Sequence, residues 1–296
     1  MKTSIFTVSF AGLWGQHRLS LEESIDLAAD LGYHGVEIMG KRPHLSPLDY
    51  SVDDCKRLRE RIESRGLQCS AVAGYTNFLG GLEAGEVPFV DMQVDYVTQL
   101  AERAAALGSD LVRIFTSYER DDMPWFAQWK KTADAIAECC DRVADFGVTI
   151  GVQNHHDIAV HTKVLNELMY AIGRDNVIPM WDCWSPHLRG EDLREAAKLM
   201  AKRMRFTTVA DYTVLPRHKY LPELVNYDHA GPPAVLAVAM GDGDLDYKTF
   251  FDALAAEGFA GWVSYENCSP LRDGGSLDTL RAYSSKFIEY MKPWIT

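Results

Sequence analysis

Short apolar, β-rich runs alternate with longer amphipathic segments from one end of the chain to the other. The runs fall at Ser4–Phe10, Gly35–Ile38, Gln68–Val72, Leu111–Phe115, Val148–Gln153, Ile178–Trp181, Phe206–Ala210 and Gly261–Tyr265. Between them, apolar residues recur at helical spacing: Leu21, Ile25 and Ala28 form one stripe, Val90, Val94, Val97, Ala101 and Ala104 another, and Leu277, Leu280 and Phe287 a third. Helix starts are marked by Ser20-x-x-Glu23 and Ser51-x-x-Asp54, which have the form of capping boxes. Helix stops are marked by Gly32, Gly66, Gly108, Gly147 and Gly258, each placed between a helical run and the next strand.

Eight strand–helix units in series, joined by right-handed crossovers, close into a parallel barrel. The pattern therefore predicts an α/β protein with a single (β/α)₈ barrel over residues 1–296, a doubly wound open sheet being the competing arrangement. Nothing along the chain reads as an interdomain linker. One connection is unusually long, residues 211–246 between the seventh strand and its helix, and such loops are commonly lids or binding loops.

Composition changes the picture mainly by exclusion. The 296 residues carry a formal charge of -12, which repels phosphate backbones and anionic lipid surfaces, so neither nucleic acid nor a membrane is expected as a partner. No run reaches the ~18 apolar residues of a membrane span. The six cysteines show no C-x-x-C spacing and read as reduced thiols, which predicts a cytoplasmic setting.

Catalytic groups of such barrels gather at the C-terminal strand ends. Here the fifth strand runs into Gln153-Asn154-His155-His156-Asp157, the sixth into Asp182-Cys183-Trp184-Ser185-Pro186-His187, and the eighth into Glu266-Asn267. Oxygen and imidazole donors converging there suit a divalent Mn, Mg, Co or Zn ion, and carboxylates over a bound sugar suit proton abstraction beside a carbonyl. Each residue also has a plainer reading. Asn154 and His155 are equally suited to capping a helix, Asp182 to an N-cap, Glu266 to a structural salt bridge, and His187, Arg217 and His44 to ordinary loop positions. Trp184 is a candidate wall on which a sugar could stack.

Several of these segments resemble one family in the correct order. Gly35-Val36-Glu37-Ile38, the run Val148 to His155, Asp182 with His187, Gly241 to Tyr247, and Gly258 to Glu266 are similar to motifs of the sugar phosphate isomerase/epimerase family, the xylose-isomerase-like TIM barrels. The resemblance implies one divalent cation held by Glu, Asp, His and Glu on strands five to eight, with the two glutamates shuttling protons. Carried over by position, the Asp is Asp182 and the second Glu is Glu266. The first Glu falls on Gln153 and the His on Thr208. A glutamine brings no charge and is no base at neutral pH, and a threonine hydroxyl is a weaker ligand than imidazole.

The expected function is that of a sugar isomerase or epimerase acting on a carbohydrate or keto-sugar by proton abstraction next to a carbonyl. The alternatives are a lyase, either a dehydratase or a keto-glycoside-cleaving enzyme, and a metal-free sugar-binding or partner subunit without catalysis. Glu266, His155 and His187 are the expected catalytic residues. Asn154, His156, Trp184, Arg217 and His44 are expected to bind substrate, and Asp182, Glu266 and Gln153 to hold a metal. A small sugar substrate and a homo-oligomer are the expected partners.

Overall fold

The computed structural model describes residues 1–295. Eight parallel strands make the barrel: β1 (Lys2–Phe6), β2 (Gly35–Met39), β3 (Gln68–Ala73), β4 (Leu111–Ile114), β5 (Thr149–Gln153), β6 (Val177–Met180), β7 (Phe206–Val209) and β12 (Trp262–Tyr265). Their order is β6-β5-β4-β3-β2-β1-β12-β7, so the sheet's two ends, β6 and β7, meet at a seam. A side chain bridges that seam, where the Thr207 hydroxyl donates to the Trp181 carbonyl at 2.9 Å.

Strand alternation explains which residues reach the interior. Val36, Ile38, Val72, Val112, Ile114, Ile150 and Val152 belong to the core between the strands and the outer helices, where they join Ile25, Leu58, Val97, Ile136 and Leu168. Their intervening neighbours Glu37, Arg113 and Gln153 must then point into the barrel. At the bottom the lumen is closed by Ala71, Leu111, Met180 and Phe206. Polar side chains share the interior with this apolar plug, the Ser4 and Ser70 hydroxyls lying 2.7 Å apart.

Local signals set the element ends. Ser20 and Ser51 form complete capping boxes at the helices Leu21–Asp30 and Val52–Ser64. Gly147, with φ +67°, turns the chain from its helix into β5 in a left-handed conformation that a side chain would strain.

One expected bound needs correcting. The first strand ends at Phe6 rather than Phe10, and Thr7–Phe10 forms a buried 3₁₀ turn. Its ladder with β2 stops at Phe6↔Glu37, because the Thr7 hydroxyl accepts the next amide, that of Met39, at 3.0 Å. The long connection after β7 carries strands of its own. It rises as a two-tiered hairpin, with β8 (Asp211–Leu215) pairing β11 (Ala234–Val238) and β9 (His218–Leu221) pairing β10 (Asn226–His229). Its base contributes Tyr212 and Val235 to the barrel mouth, while Leu224, Val225 and Tyr227 at the outer tier are exposed.

Candidate active site at the mouth of the barrel

A cavity of about 820 Å³ opens at the C-terminal ends of the strands. Aromatic side chains dominate its wall, among them Phe6, Tyr75, Phe115, Trp184 and Tyr212. The polar groups that reach it include Arg113, Gln153, His155, His156, Glu266 and Cys268. A mostly apolar hollow with a few convergent polar groups is the usual form of a small-molecule site.

The polar floor is one hydrogen-bonded chain. Arg113 Nε donates to Glu37 Oε1 at 3.3 Å, and Nη1 donates to Gln153 Oε1 at 2.9 Å. Gln153 Nε2 donates in turn to Asp182 Oδ2 at 3.0 Å. The amide orientation is dictated by its neighbours, because a guanidinium needs an acceptor and a carboxylate needs a donor. Phe6, Phe115 and Tyr75 surround the guanidinium, their ring centroids 4.9, 4.5 and 5.6 Å away. Arg113 is only 2% exposed, and its Nη2 has no hydrogen-bond partner among the described residues.

Two carboxyls face this floor. Burial raises the Asp182 carboxyl to about 6, against the opposing help of its Gln153 hydrogen bond. Burial likewise raises Glu266 to about 7, with Arg113 pulling the other way. Glu266 is carried at the end of β12, where its amide donates to the Val209 carbonyl at 2.9 Å, and it stays open to the cavity. Beside it lies Cys268, whose sulfur is 3.2 Å from the Tyr212 hydroxyl. A carboxyl tuned close to neutrality on a cavity wall is the form expected of a general base.

The histidines of the fifth strand end form the opposite wall. Burial lowers His155 to about 3 and His156 to about 4, so both rings are neutral near pH 7. His155 packs on Phe115 and Trp184, and His156 on Tyr118, with centroids 4.7, 5.7 and 4.0 Å apart. His155 Nδ1 accepts the His156 amide at 2.8 Å, which fixes the ring in place. His156 itself has φ +64°, a conformation that costs a non-glycine residue energy and often marks functional loops.

The remaining candidates are distributed differently. Asn154 is wholly buried and locked on the Asp182 backbone, accepting its amide at 2.8 Å and donating to its carbonyl at 3.3 Å. It positions the sixth strand end and does not line the cavity. His187 sits outside the wall, its Nδ1 accepting the Asp246 amide at 3.4 Å. Arg217 is exposed on the hairpin. His44 is buried behind the first strand, with Nδ1 3.0 Å from the Thr7 hydroxyl and Nε2 3.2 Å from the Leu19 carbonyl. Thr208 is buried near the floor with an unpartnered hydroxyl.

Arg113, Glu37, Tyr75 and Cys268 were not among the residues expected from sequence to form the site. A signal for the first two was present, since Val36-Glu37-Ile38 and Val112-Arg113-Ile114 each place a charge inside an apolar strand. Such a charge in a parallel barrel has to face the lumen and find a partner there.

Comparison with known proteins agrees with the fold. The family model described as xylose isomerase-like TIM barrel matches residues 25–285. An inosose dehydratase of Lacticaseibacillus casei is 24% identical over 263 residues, covering 84% of this chain and 82% of that protein. A fructoselysine 3-epimerase of Escherichia coli O157:H7 is 19% identical over 274 residues, covering 90% of each. Among solved structures, an IolI protein with a bound zinc atom superposes with a TM-score of 0.76 at 19% identity over the full length of both chains. An L-ribulose 3-epimerase superposes with a TM-score of 0.74 at 16% identity, covering 98% of this chain and 93% of that one.

The residues here fit a divalent ion poorly. Gln153 spends one lone pair of its oxygen on Arg113 and turns its nitrogen, a donor, toward Asp182, so it offers a cation no charge and at most one neutral oxygen lone pair. Thr208 supplies only a neutral hydroxyl. Asp211, three residues further on, is consumed by backbone amides, with Oδ2 accepting from Gly241 at 2.8 Å and Gly243 at 3.0 Å. Among the described residues, no group of three His, Cys, Asp or Glu side chains is placed to hold an ion.

Proposed function

Since the chain belongs to the xylose isomerase-like TIM barrel family, we propose that it is an enzyme that removes a proton next to the carbonyl of a sugar or cyclic keto-polyol, with Glu266 as the base. The observation that carries this reading is Glu266 itself. Among the described residues it is the carboxyl that both lines the cavity and is raised to about 7. The aromatic wall of Phe115, Trp184 and Tyr212 suits the apolar face of a sugar ring, and the neutral imidazoles of His155 and His156 suit its hydroxyl groups.

A carbanion formed this way has two outcomes. Epimerisation needs a second group to deliver a proton to the opposite face, and the position that would supply it is Gln153, which carries no acidic proton and is already bonded on both sides. Elimination needs only one. The Glu266 carboxylate forms an O–H bond as the Cα–H bond breaks, and the electron pair moves onto the carbonyl oxygen as an enolate. When the carbonyl re-forms, the pair makes the Cα–Cβ double bond, the β C–O bond breaks, and the Glu266 proton leaves with the departing oxygen. A lyase outcome, loss of water or of a β-linked group from a keto-sugar, is therefore favoured over the isomerase outcome. The dehydratases among the relatives support that preference.

Incubation with a keto-inositol and with 3-keto and 2-keto hexose derivatives in deuterium oxide tests this. Loss of the α-proton signal with growth of conjugated-enone absorbance is expected. Glu266→Gln is expected to lower the rate about 10³-fold, the scale of a lost general base. Full turnover in that variant would remove Glu266 from the mechanism. Deuterium incorporation with inversion and no enone would place the protein with the epimerases.

A further inference from the structure

Arg113 stands where the site's chemistry calls for positive charge. Proton removal beside a carbonyl leaves negative charge on the carbonyl oxygen, and something must stabilise it. A divalent ion is one means, but the floor of this cavity is organised around a guanidinium instead. Arg113 is buried and held from three directions, by Glu37 at 3.3 Å, by Gln153 at 2.9 Å, and by the rings of Phe6 and Phe115. What remains is Nη2, a buried donor with no partner among the described residues, on a residue that lines the cavity. A buried donor left without a partner costs free energy unless something from the cavity satisfies it. The indole Nε1 of Trp184, a residue on the wall of the same cavity, is likewise buried and without a partner among the described residues.

We propose that Arg113 Nη2 is the oxyanion-binding donor of this site, occupying the electrostatic role of a metal ion, and that Gln153 is the residue that makes this substitution work. A glutamate at 153 would neutralise Arg113 and repel Asp182. A glutamine accepts from the first and donates to the second, and so holds the guanidinium beside Glu37 without adding a second negative charge to it, leaving Nη2 free. Glu37 secures the other end from behind. Arg113 is thus a catalytic residue that touches the substrate carbonyl, and Gln153 a positioning residue. This assignment rests on the proton-abstraction reading for its chemistry, but it predicts anion binding that can be measured without turnover.

The wild-type protein is incubated with Mn²⁺ or Zn²⁺, desalted, and its metal content measured. Well below one ion per chain is expected, with no change of melting temperature on adding a chelator. One tightly held ion per chain, whose removal abolishes turnover, would overturn the proposal while leaving the proton-abstraction reading in place. In parallel, metal-free protein is titrated calorimetrically with oxalate, a planar analogue of an enediolate. Binding is expected in the wild type, retained in part by Arg113→Lys, and lost in Arg113→Met paired with Glu37→Gln, which removes both charges together and guards against an unfolded variant. On a substrate that exchanges its α-proton, Arg113→Met with Glu37→Gln is expected to lose about 10² to 10³ in kcat, as for removal of an oxyanion donor. Unchanged oxalate affinity in that folded variant would sink the assignment. Oxalate binding through Arg113, without α-proton exchange on any keto-sugar, would support the anion site and remove the proton-abstraction reading instead.

Discussion

The behaviour of individual residues here is governed by desolvation more than by pairing. Glu266 is raised to about 7 because burial outweighs the nearby guanidinium. Its base form therefore increases as pH rises through that value. We expect kcat/KM on a keto-sugar to climb with pH and level off above about 7, and this limb to vanish from whatever activity Glu266→Gln retains. His44 shows the same force with the opposite sign. Burial lowers it from 6.5 to about 4, so the unfolded chain takes up a proton between those values that the folded chain refuses. The stability this confers is present above pH 6.5 and is lost as pH falls toward 4, amounting to about 3 kcal/mol. Urea titrations of wild type and His44→Leu over that range should differ in slope, the variant being the flatter. Equal slopes would mean that His44 is already protonated in the fold. The expectation that His44 reaches a substrate rested on its place after the second strand. Its two hydrogen bonds to Thr7 and Leu19 instead keep the ring in the wall behind the first strand.

The elements themselves were largely legible, because period-two and period-3.6 patterns report which face is buried regardless of partners. Seven of the eight barrel strands lie within about two residues of their sequence-based bounds. The first was drawn too long because Val8 and Phe10 are as apolar as a strand, and only the Thr7 hydroxyl, by capturing the Met39 amide, ends the ladder. The hairpin β8–β11 escaped notice for a different reason. Its outer tier, with His218 to Leu221 facing Asn226 to His229, is exposed and polar, so it carries no hydrophobic alternation to read. The site was half legible. Asp182, Glu266, Gln153 and the His155-His156 pair announce themselves at strand ends, whereas Arg113 lies within a strand and acquires meaning only when β4 and β5 are neighbours. The same element scale explains the glycines after β11. A Cβ at Gly243 would lie 2.0 Å from Asp211 Oδ1 and 2.6 Å from the Tyr212 carbonyl, so the Asp211 carboxylate can gather amides only if that position stays bare. Gly243→Ala is expected to destabilise the protein by roughly 2–4 kcal/mol, on the scale of strained or overpacked sites. A melting temperature within a degree of wild type would contradict that account.

Across the whole molecule, charge and shape divide the labour. The chain carries a net -12, and the guanidinium at its cavity floor is paired with the buried Glu37 carboxyl, so the positive charge there is set among carboxyls as it is over the molecule as a whole. The fold alone would not specify this, because barrels of one architecture host many chemistries and only the strand-end residues distinguish them. The inosose dehydratase and fructoselysine 3-epimerase relatives, at 24% and 19% identity, illustrate that range within this one architecture.

The seam between β6 and β7 gives the barrel a direction in which it can breathe. Seven of its strand junctions are laced by backbone ladders, while the eighth is bridged by the hydroxyl of Thr207. Asp182 and Thr208 stand on opposite banks of that gap, so the width of the cavity on their side is set by the weakest joint in the hoop. Amide exchange should find β6 and β7 opening at lower free energy than β1, β2 and β3, and Thr207→Val should widen the difference. If all eight strands exchange together, the hoop opens only as a whole. If the seam yields first, a bulky ring has an elastic way in, past the Asp182 side of the wall, without any lid having to move.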